Sequence, residues 1–335
     1  MSIITLTTDY GLKDHFVGAL KGKILSEFQE ATIIDISHEI DPFNIAETSY
    51  AIGAAFSSFP KGTVHLIGVD IELNSENQHI AMQWNDQYFI CADNGILSIL
   101  IQKIVPQKIV AINIHDRFPT DATDLDVFVK VACHLAKGGL LNVIGKEINS
   151  IKETTELQAV IQENQIKGYV IYIDHLGNAV TNISKKAFLE TGKGRPYEIK
   201  FKTKTIKTIL PKYSDIGIYK KKSLKDCEGE SLAIFNESGF LEIAIFRSNP
   251  RTVGSATSLL GLYYRDFVKY ITRKIADHTE MQPISVKEHF VFWISKVFHI
   301  GMFVVLPGIL VGWGKTFLGY GIAVLVVGFI LAIVF

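Results

Sequence analysis

In the first part of the chain, short apolar runs with strand character alternate with segments whose apolar residues recur at helical spacing. That alternation points to an α/β sheet with helices on its faces. Ile3 to Thr8 reads as a strand ending in a polar turn, Phe16 to Phe28 as a helix, and Ala31 to Ile36 as a strand. Ile45 to Phe56 follows as a helix, Thr63 to Val69 as a strand, and Asp124 to Ala136 as a later helix. Asp9, Asp35, His38 and Asp70 then fall at or just past strand ends, the edge at which open α/β sheets bind ligands.

From about Glu163 onward the helical periodicity fades, and the alternating stretches Tyr169 to Ile173, Tyr197 to Lys202 and Leu232 to Phe235 predict a small all-β, barrel-like domain. The expected layout is an α/β domain over 1–150, a connection from Asn142 to Gln162, the β domain over 163–268, and a tail over 284–335. The lysines between Lys200 and Lys222 are expected to line a solvated hairpin face. A length of 335 residues is enough for two ordinary domains, each with its own core. With 34 basic and 34 acidic residues the formal charge is zero, which gives no argument for a nucleic-acid partner. Cys91, Cys133 and Cys227 lie far apart and form no CxxC pair, so buried free thiols are expected rather than disulfides or a zinc site. Neither a metal nor a nicotinamide cofactor is indicated, because there is no close His/Cys/Asp cluster and no glycine fingerprint.

The N-terminus shows no charged region and cleavage site, so no signal peptide is read. Phe290 to Val311 and Phe317 to Phe335 are long apolar runs joined by Gly312-Trp313-Gly314-Lys315, and they read as a hydrophobic helical hairpin in a membrane. The alternative reading is a buried hairpin at an oligomer interface. Lys269, Arg273, Lys274 and Lys287 precede the runs, so the positive-inside bias places the preceding part in the cytoplasm, anchored to the inner face of the membrane by residues 290–335. The segment from Ser285 to Phe335 also resembles a fragment of bacterial membrane fatty acid desaturases, without their clustered His boxes. His278, His289 and His299 are too few and wrongly spaced for a di-iron site, so a fused or truncated reading frame is expected and no catalytic role is assigned to the tail.

Several blocks carry a second resemblance, over roughly the first 265 residues. They are Thr8-Asp9-Tyr10-Gly11 through Gly18, Asp35-Ile36-Ser37-His38 through Ile45, Phe59-Pro60-Lys61-Gly62, Ala92-Asp93-Asn94-Gly95, Ile173-Asp174-His175-Leu176-Gly177-Asn178, Asn236-Glu237-Ser238-Gly239 and Gly254-Ser255-Ala256-Thr257. Together they resemble the S-adenosylmethionine (SAM) hydroxide adenosyltransferases, the family that also contains the adenosyl-halide synthases. The resemblance implies the two-domain layout above and a homotrimer with its sites between subunits. It also implies hydrolysis of SAM to adenosine and L-methionine by water attack at ribose C5′, with SAM as substrate and no cofactor.

The resemblance further assigns roles residue by residue. Asp9 would take the ribose hydroxyls, for which an ionised carboxylate is well suited, with an N-cap or turn aspartate as its alternative. Asp14 joins the substrate-binding set, with capping of the first helix as its alternative. Phe43 would line the ligand pocket, although a lone Phe is more often core. Asp174 and Asn178 would hold the methionine portion, or else form a hairpin turn around Gly177. Ser255 and Ala256 match a backbone segment that reads the adenine edge.

The water-activating positions depart from the family. There the stretch reads Val-Asp-Pro-Gly-Val-Gly followed by an arginine, whereas here only Asp70 remains; the arginine position falls on Asn77 and the family histidine position on Thr123. Asn and Thr can hydrogen-bond a water but cannot supply positive charge. His115-Asp116-Arg117 contains both missing residue types and could reach the water from a longer loop, the alternative being an exposed charged turn; His79 is a further substitute. The expected function is SAM hydrolysis. A SAM- or adenosine-binding module without turnover is the alternative, and halide transfer is a weaker one.

Overall fold

The structure is a computed structural model that describes residues 2–102, 104–154 and 158–272. The chain begins with β1 (Ile3–Thr8), α1 (Phe16–Glu27), β2 (Thr32–Ser37), α2 (Ile45–Ala55) and β3 (Val64–Gly68). It continues with β4 (His79–Trp84), β5 (Gln87–Ala92), α3 (Ile96–Ile101), β6 (Lys108–Ile112), α4 (Asp124–Ala136), α5 (Leu141–Ile144) and β7 (Gly145–Glu147). These strands form one sheet in the order β2-β1-β3-β5-β4-β6-β7. The four strands β2, β1, β3 and β5 run parallel, while β4 pairs antiparallel with both β5 and β6. The β1 run Ile-Ile-Thr-Leu-Thr-Thr is buried along its whole length, as a central parallel strand covered on both faces must be. Val17, Leu20 and Ile24 of α1 and Val127, Phe128 and Val131 of α4 supply the helix stripes that cover one face.

This topology gathers the chemically interesting residues at one edge. Thr8 pairs with Gly68, so Asp9 and Asp70 leave neighbouring strands side by side. His79 pairs with Ala92 at the start of β4, and β6 runs back to the same edge before a 3₁₀ turn over His115–Arg117.

The second sheet comprises β8 (Val160–Gln162), β9 (Gln165–Ile173), β10 (Ala179–Ser184), β11 (Tyr197–Phe201), β12 (Lys204–Ile206), β13 (Ser231–Phe235), β14 (Phe240–Ile245) and β15 (Phe267–Thr272). Its order is β12-β11-β15-β9-β10-β14-β13 with β8 on β9, all antiparallel and nearly closed into a barrel. It is not purely β: α6 (Lys185–Gly192), α7 (Asp215–Lys220) and α8 (Ala256–Leu260) interrupt the strands. The lysine-rich hairpin ends at Ile206, and the later lysines flank α7. The expected connection from Asn142 to Gln162 likewise contains α5, β7 and β8, because β7 adds a strand to the edge of the first sheet.

Among the described residues no helix is long and apolar enough to cross a membrane. The apolar runs 290–311 and 317–335, and with them the desaturase resemblance, lie outside the described residues.

Candidate active site

Asp9 emerges from β1, and its Oδ2 accepts the Phe43 N–H at 3.1 Å. The carboxylate therefore braces a distant loop instead of capping α1. Phe43 needs that brace: it sits at φ 62°, unusual for a bulky residue, and is 71% exposed. Behind it, Asn44 caps α2 by accepting the Glu47 N–H at 3.1 Å, and Glu47 Oε2 takes hydrogen bonds from Asn44 Nδ2 and the Asp41 N–H. Burial, reinforced by the Asp41 carboxylate, pushes the Glu47 carboxyl up to about 7 despite these donors. His38 is buried, with Nδ1 2.7 Å from Thr8 Oγ and Nε2 3.1 Å from Asp35 Oδ1. Asp14 is exposed and makes no hydrogen bond among the described residues. The N-cap position of α1 falls on His15, so the capping alternative for Asp14 does not hold.

Asp70 has φ 49°, and the carbonyls of Val69 and Asp70 both accept from Asn94 Nδ2 at 3.2 Å. Its half-buried carboxylate has no hydrogen-bond or ion-pair partner among the described residues. The loop that follows is pinned at two points: Ile71 O accepts from His79 Nε2 at 2.8 Å, and the Leu73 N–H donates to Asp124 Oδ2 at 3.0 Å. A carbonyl can only accept, so His79 donates from Nε2 and accepts at Nδ1, where His115 Nε2 lies 2.9 Å away. Burial lowers the His79 pKa against the pull of Ile71 O and Asp124, in keeping with a neutral ring.

His115 therefore serves His79, and Arg117 is exposed along a groove with Lys23, Glu27 and Asp126 between α1 and α4. The loop expected to carry both groups to the water divides them between two surfaces. Thr123 closes a capping box at the start of α4: its hydroxyl and N–H both reach Asp126 Oδ2 at 2.8 Å, and the Asp126 N–H reaches Thr123 Oγ at 3.4 Å. The hydroxyl expected to hold a water is thus engaged at the helix end. Asn77 accepts at Oδ1 from Lys152 Nζ at 3.2 Å.

On the second sheet, residues 174–178 close the turn between β9 and β10. Asp174 Oδ1 accepts the Asn178 N–H at 2.8 Å and Oδ2 accepts Asn178 Nδ2 at 2.9 Å. Asn178 is 2% exposed, and its Oδ1 has no partner. Gly177, at φ 80°, is required here, since a Cβ would lie 2.3 Å from Ser255 Cβ. The Gly177 carbonyl accepts the Ala256 N–H at 2.8 Å, and the Ser255 N–H goes to Ser258 Oγ at 2.8 Å. The backbone donors expected to read adenine are therefore engaged in holding α8 and this turn.

Asp9, Phe43 and Asp70 thus gather at the edge of one sheet, and Asp174, Asn178, Ser255 and Ala256 gather on the other. Between the sheets, Tyr264 donates to Asn44 Oδ1 at 2.9 Å and Asn236 to the Tyr50 hydroxyl at 3.1 Å. Glu242, buried nearby and hydrogen-bonded by Tyr213, is pushed up chiefly by burial. Sequence reasoning missed Asn94, which lies in the Ala92-Asp93-Asn94-Gly95 stretch, and Lys152, an exposed lysine in a connecting segment that carries no signal.

A mixed sheet with carboxylates at its strand ends, followed by a barrel-like antiparallel sheet with a polar turn, defines a two-part α/β protein with a ligand-binding edge. The comparisons specify it. The family models described as SAM hydroxide adenosyltransferase N-terminal and C-terminal domains match residues 4–145 and 168–269. A (R)-S-adenosyl-L-methionine hydrolase of Methanocaldococcus jannaschii is 31% identical over 284 residues, covering 81% of this chain and 96% of that protein. A fluorinase of Actinopolyspora mzabensis is 23% identical over 277 residues, covering 72% and 90%. The crystal structure of a conserved protein from Thermotoga maritima superimposes with a TM-score of 0.68 at 29% identity, covering 80% of this chain and 99% of that one. The chain belongs to the SAM hydroxide adenosyltransferase family.

Proposed function

We propose that this protein is a SAM hydrolase: water attacks ribose C5′, the C5′–sulfonium bond breaks, and adenosine, L-methionine and a proton are released. The observation that carries the reading is the Asp70 carboxylate, at the ligand-binding edge of the sheet and without a hydrogen-bond or ion-pair partner among the described residues, on a backbone that Asn94 fixes through the Asp70 carbonyl. A carboxylate so placed can accept a hydrogen from the attacking water and take its proton. Methionine is a neutral leaving group, so alignment of water, C5′ and sulfur supplies much of the acceleration.

In this reading Asp9 accepts from the ribose hydroxyls with the oxygen not engaged by Phe43, and the exposed Phe43 ring covers the sugar or base. Asp174 pairs with the ligand ammonium through its remaining lone pairs, and Asn178 Oδ1 offers a further acceptor. Ser255, Ala256 and Thr123 act around this core by fixing the turns and helix ends that carry it, Asn77 faces the water side of the Asp70 loop, and Asp14 remains at the exposed rim. The two half-sites are joined in a homotrimer, the first sheet of one copy facing the second sheet of the next. In support, exposed apolar side chains border each half: Leu12 and Phe16 on one, Leu176 and Leu259 on the other.

The test is incubation of the full chain with SAM followed by chromatography, in parallel with calorimetric binding. Adenosine and methionine in equal amounts, abolished in Asp70→Ala with binding retained, is the expected result. Binding without product would make the protein a sensor, and a 5′-halogenated adenosine formed in halide buffer would make it a halide transferase.

A further inference from the structure

Asn77 closes the loop that follows Asp70, and no lysine or arginine lies between the two in the sequence. The structure brings one there from 75 residues away: Lys152 Nζ lies 3.2 Å from Asn77 Oδ1. An ammonium can only donate, so it fixes the orientation of the carboxamide, holding Oδ1 toward Lys152 and turning the NH₂ group away. That NH₂ has no acceptor among the described residues.

The lysine is not a stray surface charge. Its N–H donates to Asp93 Oδ1 at 2.8 Å, while Asp93 Oδ2 takes Gln78 Nε2 at 3.2 Å and the Asp93 N–H reaches Gln78 O at 2.7 Å. Asn94, the next residue, holds the carbonyl of Asp70. Lys152, Asn77 and Asp70 are thus fixed to one short frame at the end of β5. Among the described residues no carboxylate lies within ion-pair distance of Lys152 Nζ, so its charge is not neutralised locally.

We propose that Lys152 supplies the positive charge of the hydrolytic site, acting through the oriented carboxamide of Asn77 on the water that Asp70 activates. The inference rests on the hydrolase reading. It makes Lys152 a positioning residue for the reaction, with Asn77 as the group nearer the water. A polarised amide donor stabilises the developing hydroxide as a preorganised dipole does elsewhere.

The experiment compares wild type, Lys152→Met, Lys152→Arg and Asn77→Ala in the full chain, measuring kcat and KM for SAM, calorimetric affinity for adenosine, and Tm. The Lys152 side chain is exposed and its backbone bond to Asp93 survives substitution, so Tm should stay unchanged. Lys152→Met and Asn77→Ala are expected to lower kcat at least about tenfold while leaving KM and adenosine affinity near wild type. Lys152→Arg is expected to restore most of the rate, because it keeps the charge and a donor. A Lys152→Met enzyme with wild-type kcat, or one that loses affinity instead of rate, overturns the assignment and leaves the hydrolase reading standing. A wild type that forms no adenosine overturns both.

Discussion

At the scale of single residues, the site is built from groups whose strain or burial is held in place by neighbours. Phe43 and Asp70 both occupy positive φ, and each is fixed by a side chain from elsewhere in the chain, Asp9 in one case and Asn94 in the other. Glu47 is the buried support beneath Phe43, and its proton has a measurable consequence. The folded carboxyl holds its proton up to about pH 7, against 4.5 for the unperturbed group, so the folded state binds more protons than the unfolded chain between those values. Its contribution to stability is therefore complete below about pH 4.5 and is lost as pH rises through 7. Glu47→Gln should escape that loss, and its stability relative to wild type should rise by on the order of 3 kcal/mol between pH 4.5 and pH 8. Urea unfolding of both proteins at the two pH values measures the difference. A difference that does not change with pH would place the carboxyl in an environment unlike the one described.

At the scale of elements, α4 shows what periodicity and end signals can and cannot reveal. Its span from Asp124 to Ala136 was legible because apolar residues recur on one stripe behind a Thr-x-x-Asp start. The same pattern explains why Thr123 is a poor guide to catalysis: its hydroxyl completes the capping box. Thr123→Ala should cost about 1 kcal/mol of stability, the usual price of a lost N-cap, with kcat changed only slightly. Thermal unfolding alongside the SAM assay checks this, and a large loss of kcat at unchanged stability would return Thr123 to the water. The β1, β2 and β3 strands and their C-terminal edge are likewise legible from short apolar runs, although only β1 and β3 are buried along their length. The contacts among Asn77, Lys152, Asp93, His79 and His115 were not, because they join segments far apart in sequence through side chains whose types are common on surfaces. The three short helices of the second sheet escaped for another reason: none of them exceeds eight residues, too short for a helical period to stand out.

At the scale of the whole molecule, the two half-sites sit on different sheets, and the proposed trimer would complete each site from two copies. A site shared in this way is open to complementation. Asp9→Ala and Asp174→Ala should each be inactive alone, and mixing them under conditions that exchange subunits should restore roughly a quarter of the sites, since some interfaces then receive an intact half from each partner. Sedimentation of the mixture checks the assembly, and no recovery after demonstrated exchange would place both halves within one chain. The central claim is simpler than the assembly: water is the nucleophile at C5′. The most direct measurement is turnover of SAM by the full chain in oxygen-18 water, with the products analysed by mass spectrometry. The account predicts adenosine labelled at its 5′-hydroxyl and methionine without label. Unlabelled adenosine, a 5′-substituted nucleoside in its place, or no turnover at all would contradict it.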